Sequence, residues 1–184
     1  MTFLEPPRSA AWQHIDARRG FEVVFFRPEV EGLTTAVEDE NAWAVHYAIA
    51  LRSDWRTITA KVTGHSAAGE RRVVLESDGR GQWQVDGRHR PELDGCFDVD
   101  LESSAFTNAL PVHRLDLDVG EKAEAPAAYV RAADLSVERL EQQYVRLARQ
   151  RYHYSAPSFD FECELVYDES GLVIDYPGIA TRAA

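Results

Sequence analysis

The chain has 184 residues, 45% of them apolar, which suits one domain spanning residues 1–184 with a substantial core. A formal net charge of −11 argues against a nucleic-acid partner or an anionic membrane surface, since either needs a basic patch to release counterions. No run approaches the ~18 apolar residues that span a bilayer, and Met1–Phe26 lacks a basic start followed by an apolar block, so a cytoplasmic location is expected.

In chain order, Phe21–Arg27 reads as a buried β run that stops at Pro28, because proline cannot donate to a sheet ladder. Trp43–Leu51 alternates more cleanly: Trp43, Val45, Tyr47, Ile49 and Leu51 face one way, with Ala44, His46, Ala48 and Ala50 opposite. Ser53–Trp55 is a tight break, and the β-branched residues of Arg56–Val62 complete a hairpin. A second hairpin places Val73 and Leu75 before a turn containing Asp78, Gly79 and Gly81, then Trp83 and Val85.

Gly95–Gly120 carries two alternating apolar and charged runs joined by "AFTNALP" (Ala105–Pro111). Antiparallel pairing about this linker would set Leu101 against His113, Val99 against Leu115, and Arg114 against Asp100. Asp98, Asp100 and Glu102 then share one face, about 6.6 Å apart along the strand, and a solvated outer face explains them more simply than a catalytic carboxylate pair. If Arg114 and Asp100 are instead buried together, they are candidates for fixing a polar ligand group. Asn108 is suited to a left-handed turn, and its direction decides whether the linker is a turn or a site.

Residues 121–128 are the nearest candidate linker. In 134–150 the spacing of Val137, Leu140, Tyr144 and Leu147 predicts a helix. A third hairpin runs Phe159–Tyr167, turns through Asp168–Gly171 and returns as Leu172–Tyr176. Strands at this spacing argue for an antiparallel sheet that curls or closes into a barrel or sandwich.

Signs of chemistry are sparse. The six histidines lack metal-ligand spacing, Cys96 and Cys163 read as buried free thiols, and neither a serine elbow nor a phosphate-cradling loop occurs. No metal or cofactor is expected. The aromatic residues are mainly core, but a strongly curled sheet can enclose ligand space, with Tyr47, Trp83 and Tyr154 as candidate lining residues.

Five segments together, "SDWRT" (53–57), "GCFDVDL" (95–101), "FTNALPVHRLDL" (106–117), "YHYS" (152–155) and "GLVIDYPG" (171–178), resemble the bacterial "putative glycolipid-binding" family over roughly Trp43–Gly178. The resemblance implies a mainly β fold: a single long, strongly curved antiparallel sheet forming an open or closed barrel, with at most one or two short helices. It is similar to the periplasmic carriers that shield lipoprotein acyl chains. It also implies sheet, not helix, over 135–147, and it supplies no catalytic residues. Ala105 stands where relatives are expected to have proline. The reading that follows is non-enzymatic binding of a glycolipid or fatty amphiphile in a cavity of roughly 300–1,000 Å³, with a polar head near Arg114, Asn108 and Asp100. Two alternatives are an enzyme using Asp98 and Asp100 on a small or sugar-like substrate, and a structural protein, monomer or homodimer, that uses exposed sheet edges.

Overall fold

The structure, a computed structural model, describes residues 3–16 and 18–184; Met1 and Thr2, where the reading of the N-terminus begins, lie outside the described residues, as does Ala17. The chain is mainly β. In order the strands are β1 (Ser9–His14), β2 (Arg19–Phe26), β3 (Glu29–Glu38), β4 (Asn41–Leu51), β5 (Thr57–Ser66), β6 (Gly69–Ser77), β7 (Trp83–Val85), β8 (Arg88–His89) and β9 (Asp98–Leu101). A 3₁₀ turn (Phe106–Asn108) leads into the short helix α1 (Ala109–Leu115). Then follow β10 (Lys122–Glu124), β11 (Ala127–Val130), β12 (Val137–Leu140), β13 (Gln143–Ala148), β14 (Arg151–Ala156), β15 (Phe161–Tyr167), β16 (Val173–Tyr176) and β17 (Ala180–Arg182).

Fourteen strands form one antiparallel sheet, ordered β10-β13-β14-β15-β16-β17-β1-β2-β3-β4-β5-β6-β7-β8, and β12-β11-β9 form a smaller second sheet. The large sheet does not close, since β10 and β8 are its free ends. The three expected hairpins are β4–β5, β6–β7 and β15–β16. Alternation on β4 buries Trp43, Val45, Tyr47 and Ile49, as its sequence indicates. β3 carries little apolar alternation in its sequence, because its inward positions, Val30, Gly32, Thr34 and Ala36, are small or polar. Their size has a cause on the next strand: Gly32 pairs with Tyr47, and a Cβ at residue 32 would lie 2.0 Å from the Tyr47 ring.

Residues 112–118 are not a strand. Phe106, Ala109, Leu110 and Val112 are all buried on a helical turn, Pro111 sits in the first turn of α1 where its missing N–H costs nothing, and Asp116 ends the helix in a left-handed conformation (φ 40°). β9 therefore has no partner there and pairs in parallel with β11 instead, Asp100 beside Tyr129. All four of its residues are buried, Asp98 at 1% exposure and Asp100 at 8%. The solvated carboxylate face is thus corrected: β9 is covered on both sides.

The helix expected over 134–150 is β12 and β13, in agreement with the family resemblance. β13 buries Tyr144 and Arg146 by twos and leaves Leu147 47% exposed, which a helical face would have covered. Its backbone is taken up by β10 on one side and β14 on the other, and that ladder outweighs the good helix formers in the segment. The supposed linker 121–128 holds β10 and the start of β11. Both cysteines are free; Cys96 is buried and Cys163 half-buried.

The apolar interior falls into two clusters. One gathers Trp12, Tyr47, Ile49, Trp83, Leu101 and Phe106 around β1–β7; the other gathers Val112, Tyr144, Tyr152, Leu165 and Tyr167 around β13–β16. The inner sheet and the helical turn carry members of both, and Tyr176 packs against each.

Candidate functional site

A cavity of about 220 Å³ lies where the two clusters meet. Asp100, Leu101 and Glu102, at and just beyond the end of β9, line it together with Ser104 and Asn108 from the segment entering α1. Tyr129, Tyr154, Phe159, Phe161 and Tyr176 supply aromatic walls, and Arg18 contributes from just before β2. The rings of Tyr154, Phe161 and Tyr176 form a triangle with centroids 6.2, 6.1 and 6.0 Å apart, and Tyr129 tilts against Phe159 at 5.3 Å.

The helical turn beside the cavity is anchored from a distant strand. Glu22 of β2, fully buried, accepts the Ala105 N–H at 2.8 Å, the Tyr47 hydroxyl at 2.7 Å and the Ser104 hydroxyl. Its carboxylate occupies the N-terminal end of the turn, where backbone N–H groups lack intrahelical partners. Burial pushes the Glu22 acid upward against these hydrogen bonds. Asn108, the last residue of the turn, accepts the Tyr144 hydroxyl at its side-chain oxygen (3.0 Å) and the Tyr167 hydroxyl at its carbonyl (3.2 Å). Its side-chain nitrogen has no protein acceptor among the described residues.

The carboxylates of β9 have different surroundings. Asp98 is held by Arg114, whose Nε reaches Oδ1 and Oδ2 at 3.0 and 3.1 Å and whose Nη2 reaches Oδ2 at 2.6 Å. Asp100 accepts the Thr107 hydroxyl at 2.8 Å, and among the described residues no cation pairs with it. Burial first, then the charges of Asp98 and Glu102, push its acid up to about 6. Glu102 accepts the Ala132 N–H at 2.7 Å. Arg18 donates to the Glu102 carbonyl at 3.0 Å, lies 4.0 Å from Glu38 and stacks over Trp43 at 5.3 Å. Among the described residues no three His, Cys, Asp or Glu side chains gather as a metal cage, and no helix is long and apolar enough to cross a membrane.

A family model described as "Putative glycolipid-binding" matches residues 9–182. The chain belongs to this family. A solved family relative, a DUF1089 family protein (PA1994) from Pseudomonas aeruginosa, shares 33% identity with a TM-score of 0.84, over 100% of this chain and 97% of that one. No curated protein matches the chain.

Within this family member, three of the residues singled out from sequence, Asp100, Asn108 and Tyr154, come together in the cavity wall. The other three lie elsewhere. Arg114 faces Asp98, not Asp100, because it stands on a helix and not on a partner strand. Tyr47 is committed to Glu22 and Ser104, and Trp83 donates from its indole to the Cys96 carbonyl at 2.8 Å inside the first apolar cluster. Arg18, Tyr129 and Tyr176 join the wall with no local sequence signal, since only the fold of the inner sheet brings them together. At about 220 Å³ the space is smaller than expected. The chain's own helix and inner sheet pack against the inward face of the large sheet and take up most of the room there.

Proposed function

We propose that the chain binds the sugar-bearing headgroup of an amphiphile in this cavity, without covalent chemistry, while the tail stays at the rim beside Phe159. The observation that carries the reading is the lining itself: the rings of Tyr154, Phe161 and Tyr176 share one cavity wall with the planar polar groups of Asp100, Asn108 and Arg18. A sugar ring offers C–H faces to aromatic rings and hydroxyls to such polar groups at its edge, and recognition sites place a few polar groups on an apolar wall in this way. The family description supports the same ligand class. Phe159, which lines the cavity and is 41% exposed, gives the tail an apolar surface.

Native mass spectrometry of the purified chain, with extraction of co-purifying lipid, is expected to find an amphiphile with a sugar head. Titration with octyl glucoside below its micelle concentration is expected to show binding that weakens about tenfold in Phe161→Ala and Asn108→Ala, from losing roughly 1–1.5 kcal/mol of contact or hydrogen bonding. Absence of binding in the folded wild-type chain removes the proposal. Turnover of nitrophenyl glycosides would move the reading to the enzymatic alternative.

A further inference from the structure

The polar floor of the cavity is unevenly charged. Asp100, which lines the cavity, and Asp98, which does not, stand two residues apart on β9, both buried, yet among the described residues only Asp98 has a cation. Asp100 is met only by neutral groups, the Thr107 hydroxyl and the Gln142 side-chain amide, and the nearest charges along the chain, Asp98 on β9 and Glu102 just beyond its end, are also carboxylates. The remaining ionisable groups that act on it come from other elements: Tyr129 on β11, Tyr144 on β13, Tyr154 on β14, Tyr167 on β15 and Tyr176 on β16. All five are phenols that burial holds neutral. Arg18, the cation in the wall, is engaged with the Glu102 carbonyl, Glu38 and Trp43.

A buried carboxylate without a cation is costly, and the usual remedy is a bound counter-charge or a retained proton. Here Asp100 lines the same cavity as the three rings of Tyr154, Phe161 and Tyr176. Rings attract cations through their quadrupole within about 6 Å of the centroid. A neutral sugar would hydrogen-bond to Asp100 and leave its charge unmet.

We infer that the headgroup taken by this cavity carries an ammonium group, held between the Asp100 carboxylate and the rings of Tyr154, Phe161 and Tyr176. The inference rests on the headgroup reading above and specifies its chemical class: an amino sugar, or an amine-bearing lipid head of another kind. The ammonium group pairs with the ionised form of Asp100. Since burial moves that acid to about 6, affinity is high above this pH and falls as pH drops through it, by roughly tenfold at one unit below.

The test is calorimetric titration of wild type and Asp100→Asn with three probes below their micelle concentrations: octyl glucoside, its 2-amino-2-deoxy counterpart and octyltrimethylammonium, at pH 7.5 and 5. The expected result is that wild type binds the amino sugar at least tenfold more tightly than the glucoside at pH 7.5, and that this advantage disappears at pH 5 and in Asp100→Asn. Equal binding of glucoside and amino sugar by wild type overturns the inference and leaves the headgroup reading standing. Tight binding of octyltrimethylammonium with neither sugar bound supports the ammonium site and removes the sugar. No binding of any probe overturns both.

Discussion

Asp98 and Asp100 present the same side chain on the same buried strand, and burial pushes both acids upward, but their partners differ: Arg114 for Asp98, neutral groups for Asp100. Removing Arg114 leaves Asp98 with no direct partner for its charge, and Arg114→Met is expected to destabilise the fold by about 3–5 kcal/mol, the usual cost of breaking a buried pair from one side, read as a lower unfolding midpoint in urea. Asp100 lacks such a partner, and its acid is raised from 3.8 to about 6. A raised carboxyl contributes its stability in full below the unfolded value and loses it as pH rises through the folded one. Asp100→Asn, which keeps the shape and an oxygen for Thr107, is therefore expected to be more stable than wild type at pH 7.5 by roughly 2–3 kcal/mol, and equal to it near pH 3.5. Thermal melts across this range check the sign; a destabilised Asp100→Asn at pH 7.5 would show that the carboxylate is compensated within the fold. A residue that weakens the fold when left empty is what a binding site built at the expense of stability looks like.

At the scale of elements, two segments exchanged their expected structures. Residues 112–118 alternate like a strand and 134–150 repeat like a helix, yet the first completes a helix and the second makes two strands. Local pattern failed in each because backbone and side-chain partners outside the segment decided its structure. The helical turn starts where Glu22, 83 residues before Ala105, accepts its first N–H. Glu22→Ala strands that N–H and leaves the buried Tyr47 and Ser104 hydroxyls only each other, 3.2 Å apart, and is expected to cost about 2–3 kcal/mol. Hydrogen exchange should localise the damage, with faster exchange at the amides of Ala105–Ala109 than across β4 and β5. β13 is fixed by ladders to its hairpin neighbour β14 and, on the other side, to β10, and that pairing overrides the helical spacing and good helix formers of the segment. The β4–β5, β6–β7 and β15–β16 hairpins were legible because their partners are neighbours and their turns announce themselves. Asp168, whose Oδ1 accepts the N–H of Ser170 and Leu172 at 2.8 and 3.0 Å, shows how local such a turn is.

For the whole molecule, the open sheet leaves two free ends, β8 and β10, only two and three residues long. They carry Arg88 and His89 at one end, Lys122 and Glu124 at the other. Short, charged edges discourage strand pairing between copies. Replacing Lys122 and Glu124 together with valine is expected to raise the weight-average mass in light scattering without lowering the melting temperature; an unchanged mass would show that edge charge is not what limits pairing.

The sequence by itself determined that this is a mainly β chain built of hairpins, with free thiols and motifs that mark its family, because each of those properties is written in neighbouring residues. It also brought Asp100, Asn108 and Tyr154 forward as candidates. Only the tertiary structure decided that β9 is buried on both faces, that Arg114 serves Asp98 and not Asp100, and that the sheet is filled from within by its own helix and inner strands. Alternation along a strand reports which residues share a face, but what covers that face depends on elements dozens of residues away. The same long-range packing leaves Asp100, among the described residues, without a cation in the wall of a ring-lined cavity.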